Sequence, residues 1–151
     1  MKKGKFKRNR GDIVKIDLGD GKLAFAQVLK EPLFVFFDLI SSEVPQIERI
    51  TSAPILFEIW VMNRAVTEGI WPIVGKAPIG AIDEAPRFFK RDQINGKLTI
   101  TFTGAEEQKA TLAECIGLEC AAVWDPEHVV DRLRDHYAGR PNKWTESMRP
   151  R

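Results

Sequence analysis

Apolar and polar residues alternate from the start of the folded part of the chain. In residues 12–18, Val14, Ile16 and Leu18 fall on one face, which predicts a strand; Ile13 departs from the alternation. The segment Gly19-Asp20-Gly21-Lys22 reads as a turn with glycines free to take positive φ. Residues 23–30 then return as a second strand. Leu23, Phe25, Gln27 and Leu29 share one side, and Ala24, Ala26 and Val28 share the other. The small side predicts a second layer in close approach. After Pro32, residues 33–40 are rich in β-formers and apolar on both faces, which predicts a central strand covered on both sides.

Residues 41–52 read as a polar loop, and residues 55–62 as a fourth, nearly continuous apolar strand. Asn63 is placed to cap a short helical turn that Gly69 ends. Residues 70–74 predict a short edge strand, because Pro72 cannot donate a ladder hydrogen bond. Residues 87–92 and 98–102 read as a hairpin around Asn95-Gly96. Thr111 and Glu114 form a capping-box pattern for a short helix. Asp125-Pro126-Glu127 opens a longer helix with an apolar stripe of Val129, Val130, Leu133 and Tyr137, stopped by Gly139 and Pro141.

Strands followed by helix predict an α+β fold: mostly antiparallel β, a strongly bent sheet or small open barrel, with a C-terminal helix packed on it. The expected organisation is a basic flexible tail over residues 1–10, one domain over 11–139, and a loose tail over 140–151, with Trp144 as an anchor. A length of 151 residues suits one such domain.

Charge sharpens this picture. Six of the 23 basic residues lie in the first ten positions, where there is no acid, so the rest of the chain carries 17 basic against 21 acidic residues, a net −4. A basic arm is able to contact nucleic-acid phosphates, and it is equally the composition of a solvated terminus. No run reaches the ~18 apolar residues of a membrane span. No secretory pattern follows the basic start. With only Cys115 and Cys120, whose spacing fits no zinc motif, the expectation is a reducing cytoplasm.

Candidate chemistry is sparse. His128, Asp131 and Asp135 make a line on one helix that could hold a metal, but the alternating Arg132 and Arg134 fit a solvated, ion-paired face. There is no phosphate loop and no nucleophile elbow. Glu106 and Glu107 read as solvated acids beside a turn. The expectation is a protein without catalytic residues, cofactor or metal. The cluster Arg87-Phe88-Phe89-Lys90-Arg91 stands out, because a strand would send the two rings to opposite faces. One ring could then lie beside Arg87 and Arg91 and stack on a partner. Trp71 and Trp124, each near a loop, are further candidate anchors. The expected partner-binding residues are therefore Trp71, Arg87, Phe88, Lys90, Arg91 and Trp124.

Three stretches together resemble the immunity protein 26 family of bacterial polymorphic-toxin systems. They are Gly11-Asp12-Ile13-Val14-Lys15-Ile16 with Asp20-Gly21-Lys22, then Pro86-Arg87-Phe88-Phe89-Lys90, and then Glu114 to Glu119 continuing through Trp124-Asp125-Pro126 to Tyr137. The resemblance spans about residues 8–138. It implies a mostly β protein that binds a cognate toxin and protects its producer, with neither catalytic residues nor a cofactor. The acidic body would mimic phosphates and steer association with a basic toxin groove. The alternative is a small-barrel nucleic-acid-binding module using Lys2 to Arg10 and Arg87 to Arg91.

Overall fold

The computed structural model describes residues 5–102 and 107–151. The first four sequence-predicted strands are β1 (Asp12–Gly19), β2 (Lys22–Val28), β3 (Leu33–Ser41) and β4 (Ile55–Val61), and they form an antiparallel meander. A short helix α1 (Ile47–Thr51) sits inside the segment expected to be loop. The chain continues through α2 (Arg64–Thr67), β5 (Ile73–Lys76), β6 (Arg87–Arg91), β7 (Leu98–Phe102), β8 (Gln108–Lys109) and α3 (Leu112–Cys115). It ends with β9 (Glu119–Cys120), β10 (Val123–Trp124), α4 (Pro126–Ala138) and α5 (Lys143–Ser147).

The fold is α+β, with two sheets and a C-terminal helix. The first sheet has the order β10-β4-β3-β2-β1-β5 and the second β8-β7-β6-β9. Pairing is antiparallel except for β10 with β4 and β6 with β9. Neither sheet closes into a barrel. β5 lies at an edge, but it begins at Ile73, later than the expected 70–74, so Pro72 precedes the strand. Register shifts in the β1–β2, β1–β5, β2–β3 and β3–β4 ladders bend the first sheet locally.

Both faces of the first sheet are buried. On one, Val14, Ile16, Ala24, Ala26, Phe34 and Phe36 pack with Val129 and Leu133 of α4. The alanines are the small side of β2, and the close layer they imply is this helix. Trp71 fills the same cluster, with its ring edge-on to Phe34 at 5.8 Å and to Phe36 at 5.7 Å. On the other face, Ile13, Phe25, Leu33, Val35 and Phe37 meet Ile50 of α1 and Phe88 of the second sheet. Ile13 thus leaves the alternation because it serves this second core. Buried Gln27 spans the chain by donating through Nε2 to the carbonyls of Gly11 (3.2 Å) and Ala77 (2.9 Å).

Helix ends follow local chemistry in three places. Thr111 and Glu114 make both bonds of the capping box. Asp125 accepts from the Glu127 amide, with Pro126 at the first helical position. Gly139 takes φ 69° and closes α4. Asn63 differs: its side chain makes no cap and donates instead to Glu31 Oε2 at 2.8 Å.

The described parts of both termini make contacts with the fold. Lys143–Ser147 is helical because Asn142 accepts from the Trp144 and Thr145 amides. Trp144 is an anchor, stacked on His128 with ring centres 3.6 Å apart and donating Nε1–H to Asp131 at 3.0 Å. At the other end, the Phe6 amide donates to the Thr67 carbonyl. Arg8 donates to the carbonyls of Leu29 and Leu33, each at 2.7 Å, with its guanidinium over Phe34. Phe6 and Arg8 of the expected tail are therefore attached to the fold, and residues 1–4 lie outside the described residues.

Candidate interaction surface

The six residues singled out from the sequence divide sharply. Trp71 and Phe88 are each 1% exposed and Trp124 is 5% exposed, so none projects its ring into solvent. The reason is layering: a strand face that looks free in sequence is covered here by α4 or by the opposite sheet. Phe88 packs on Trp60 with ring centres 4.5 Å apart, and Phe89 turns to a third small core with Ile100 and Cys115. Both rings of the aromatic pair are thus internal.

Arg87, Lys90 and Arg91 remain exposed on β6. Lys90 pairs with Glu107 at 2.7 Å, which holds its ammonium above the ordinary lysine range. Arg91 donates Nε–H to the carbonyl of Arg151 at 3.1 Å, drawing the chain end onto the second sheet. Two cations of the basic N-terminus are also engaged: Arg8 on backbone carbonyls, and Arg10 on Glu84.

Candidate catalytic groups are similarly occupied. Burial pushes the thiols of Cys115 and Cys120 up, and Glu114 and Glu119 add to the effect. A thiol shifted that way is a poorer nucleophile at neutral pH. Among the described residues, no three His, Cys, Asp or Glu side chains converge as metal ligands. Asp131 accepts from Trp144, and Asp135 accepts from Asn142 at 2.9 Å and pairs with Arg140 at 3.2 Å. The acids of α4 therefore dock the C-terminal helix.

Arg132 joins the two sheets. Its guanidinium makes two bonds to Glu119 at 2.9 and 2.8 Å and lies over the rings of Phe57 (3.7 Å) and Trp124 (5.2 Å). On either side of the Gly117–Glu119 segment, a groove opens. The larger, about 680 Å³, runs under the C-terminal strap and includes Ile116, Arg132, His136 and Met148. The smaller, about 480 Å³, lies between β4 and the approach to β6, lined by Ile55, Leu56, Phe57, Glu58, Asp83 and Phe88 among others. Ile116 and Ile55, 68% and 48% exposed, sit one on each groove.

Glu58 is the unusual group here. Its Oε2 is shielded from solvent and has no hydrogen-bond partner among the described residues. Burial, then the negative charges of Asp83 and Glu84, push its carboxyl up to about 7. Glu84 moves the other way, held low by Arg10 and by the Lys30 amide. Sequence reasoning passed over Glu58, although it is the single charged residue in an otherwise apolar strand. That signal was available.

No curated protein and no solved structure matches the chain. A family model described as Immunity protein 26 matches residues 9–98, more than half of the chain. The match takes in β1 to β6, including the opening hairpin and the Pro86–Lys90 segment; the stretch from Glu114 to Tyr137 lies outside it. On this match, the chain belongs to the immunity protein 26 family.

Proposed function

We propose that this protein binds a cognate toxin and neutralises it by occluding the toxin's active site. The observation that carries this reading is membership of an immunity family. The surface chemistry agrees with it. Arg8 of the N-terminus is engaged inside the fold and Arg10 pairs with Glu84 at the surface, whereas the chain beyond residue 10 carries a net −4. An acidic body of this kind suits a basic partner groove, and it speeds encounter by long-range attraction. A stable complex of this type covers about 800 Å² on each partner, with a few anchors supplying most of the energy. Arg87, Lys90 and Arg91 stay candidate contacts at the rim of that surface.

The test is co-purification. A tagged copy is recovered from its source organism after nuclease treatment, and bound proteins are identified by mass spectrometry. The expected result is one stoichiometric protein that inhibits growth when produced alone. Recovery of nucleic acid without a protein partner, when nuclease is omitted, would contradict the reading. Raising salt is expected to slow association with the recovered toxin; a salt-independent rate would remove the steering component.

A further inference from the structure

β4 is paired along most of its length on one side only. Toward β3 it is matched from Ile55 to Trp60, but toward β10 it is matched only at Trp60 and Val61. Among the described residues, Ile55 to Glu58 have no strand on that second side. The direction of the backbone groups follows from their neighbours. The Val61 amide donates inward to Pro32, and the Met62 amide donates outward to Trp124. Alternation then aims the Glu58 peptide groups outward, into the smaller groove. An unpaired edge of this kind is a template for another strand, and proteins ordinarily blunt it.

Here the edge is bordered by an apolar floor and an acidic wall. Leu56, Phe57 and Phe88 line the floor, exposed Ile55 stands at the rim, and Glu58 and Asp83 face the space. Glu119 already belongs to Arg132, and Glu84 to Arg10, so Glu58 and Asp83 are the acids left against the single cation Arg87. The open stretch spans at most about 13 Å at strand spacing, and the register shift of the β3–β4 ladder falls within it, between Phe57 and Ile55, so a short extended segment would find regular pairing at Glu58.

We propose that this groove receives the toxin by strand addition: an extended segment of the toxin pairs with the free edge of β4 and sets a lysine or arginine between Glu58 and Asp83. This rests on the toxin-binding reading above and names its site. Main-chain bonds along the edge would supply affinity, and the acidic pair would supply selectivity for a basic segment. The inserted cation satisfies Glu58 Oε2 and offsets the repulsion between the two carboxylates.

The test uses the full-length chain, isotope-labelled, and a capped peptide alternating threonine and lysine. Amide shifts should saturate at Ile55–Glu58 and Gly117–Glu119. The glutamate counterpart of the peptide should leave them unmoved. Glu58→Lys should weaken binding at least about tenfold, and Glu58→Gln, which keeps the shape, should weaken it less. Backbone N-methylation of the peptide on alternate residues should abolish binding in one register and spare it in the other. Shifts elsewhere, no saturable shift, an equal response to the acidic peptide, or indifference to both N-methylation patterns would overturn the proposal. A toxin that binds wild type and Glu58→Lys equally would also overturn it, while leaving the immunity reading intact.

Discussion

The six-stranded sheet has buried side chains on both faces, backed by α4 on one side and by α1 and Phe88 on the other. The four-stranded sheet has a smaller core of its own, Phe89, Ile100 and Cys115, and β8 at its edge is exposed. The first sheet is therefore a scaffold whose sequence is dictated by packing. The second is attached to it through Phe88, Arg132 and the chain crossing at residues 120–123, and the grooves open along that attachment. Enclosed core and open grooves are separated within one chain, and the candidate docking groove lies where the two sheets meet.

The largest expected effect lies in the first sheet. Phe36→Ala removes a fully buried ring that touches Phe57 and Trp71, and it should cost about 3–5 kcal/mol in chemical denaturation. A loss under ~1 kcal/mol would mean that this face is not the main core. Arg132→Ala should cost about 1–2 kcal/mol, since Glu119 is partly solvated and the pair is discounted for it. Its sharper signature is local. Labelling of the Cys120 thiol should accelerate while the environment of Trp71 stays native. A uniform loss across both sheets would contradict the idea that Arg132 fastens one to the other.

Much of the first sheet was legible because its information is local. Alternation placed Val14, Ile16 and Leu18 on one face, and Thr111, Asp125 and Gly139 announced their helix ends by their own hydrogen-bonding or φ preferences. The elements that escaped are specified from a distance. The Gln46 cap of α1 makes no side-chain bond, and that helix contributes buried Ile50 to a core it shares with residues far along the chain. α5 is capped locally by Asn142 but is held in place because Asn142 and Trp144 find partners on α4. Trp71, Phe88 and Trp124 are buried for the same reason: which faces of an element are covered is decided by its neighbours in the fold. The candidate groove escaped as well, since an unpaired edge is a property of topology.

A smaller effect comes from Glu58. Its folded carboxyl titrates near 7, above its ordinary 4.5, so the folded state holds the proton more tightly than the unfolded chain. The stabilisation is complete below about pH 4.5 and is lost as pH rises through 7. Glu58→Gln should flatten that slope and raise stability at pH 8 by about 1 kcal/mol, after allowance for solvent. A variant that keeps the wild-type pH slope would assign the titration elsewhere. Asn142→Ala should cost under about 1 kcal/mol overall and fray only α5, seen as faster amide exchange at Trp144 and Thr145.

Co-expression tests the central claim most directly. Growth is measured in cells producing the recovered toxin, with and without this chain, alongside the toxin's activity in a purified mixture of the two. The account predicts that growth is restored and that activity falls to background at a one-to-one ratio. Continued arrest, or full toxin activity in the presence of excess chain, would contradict it.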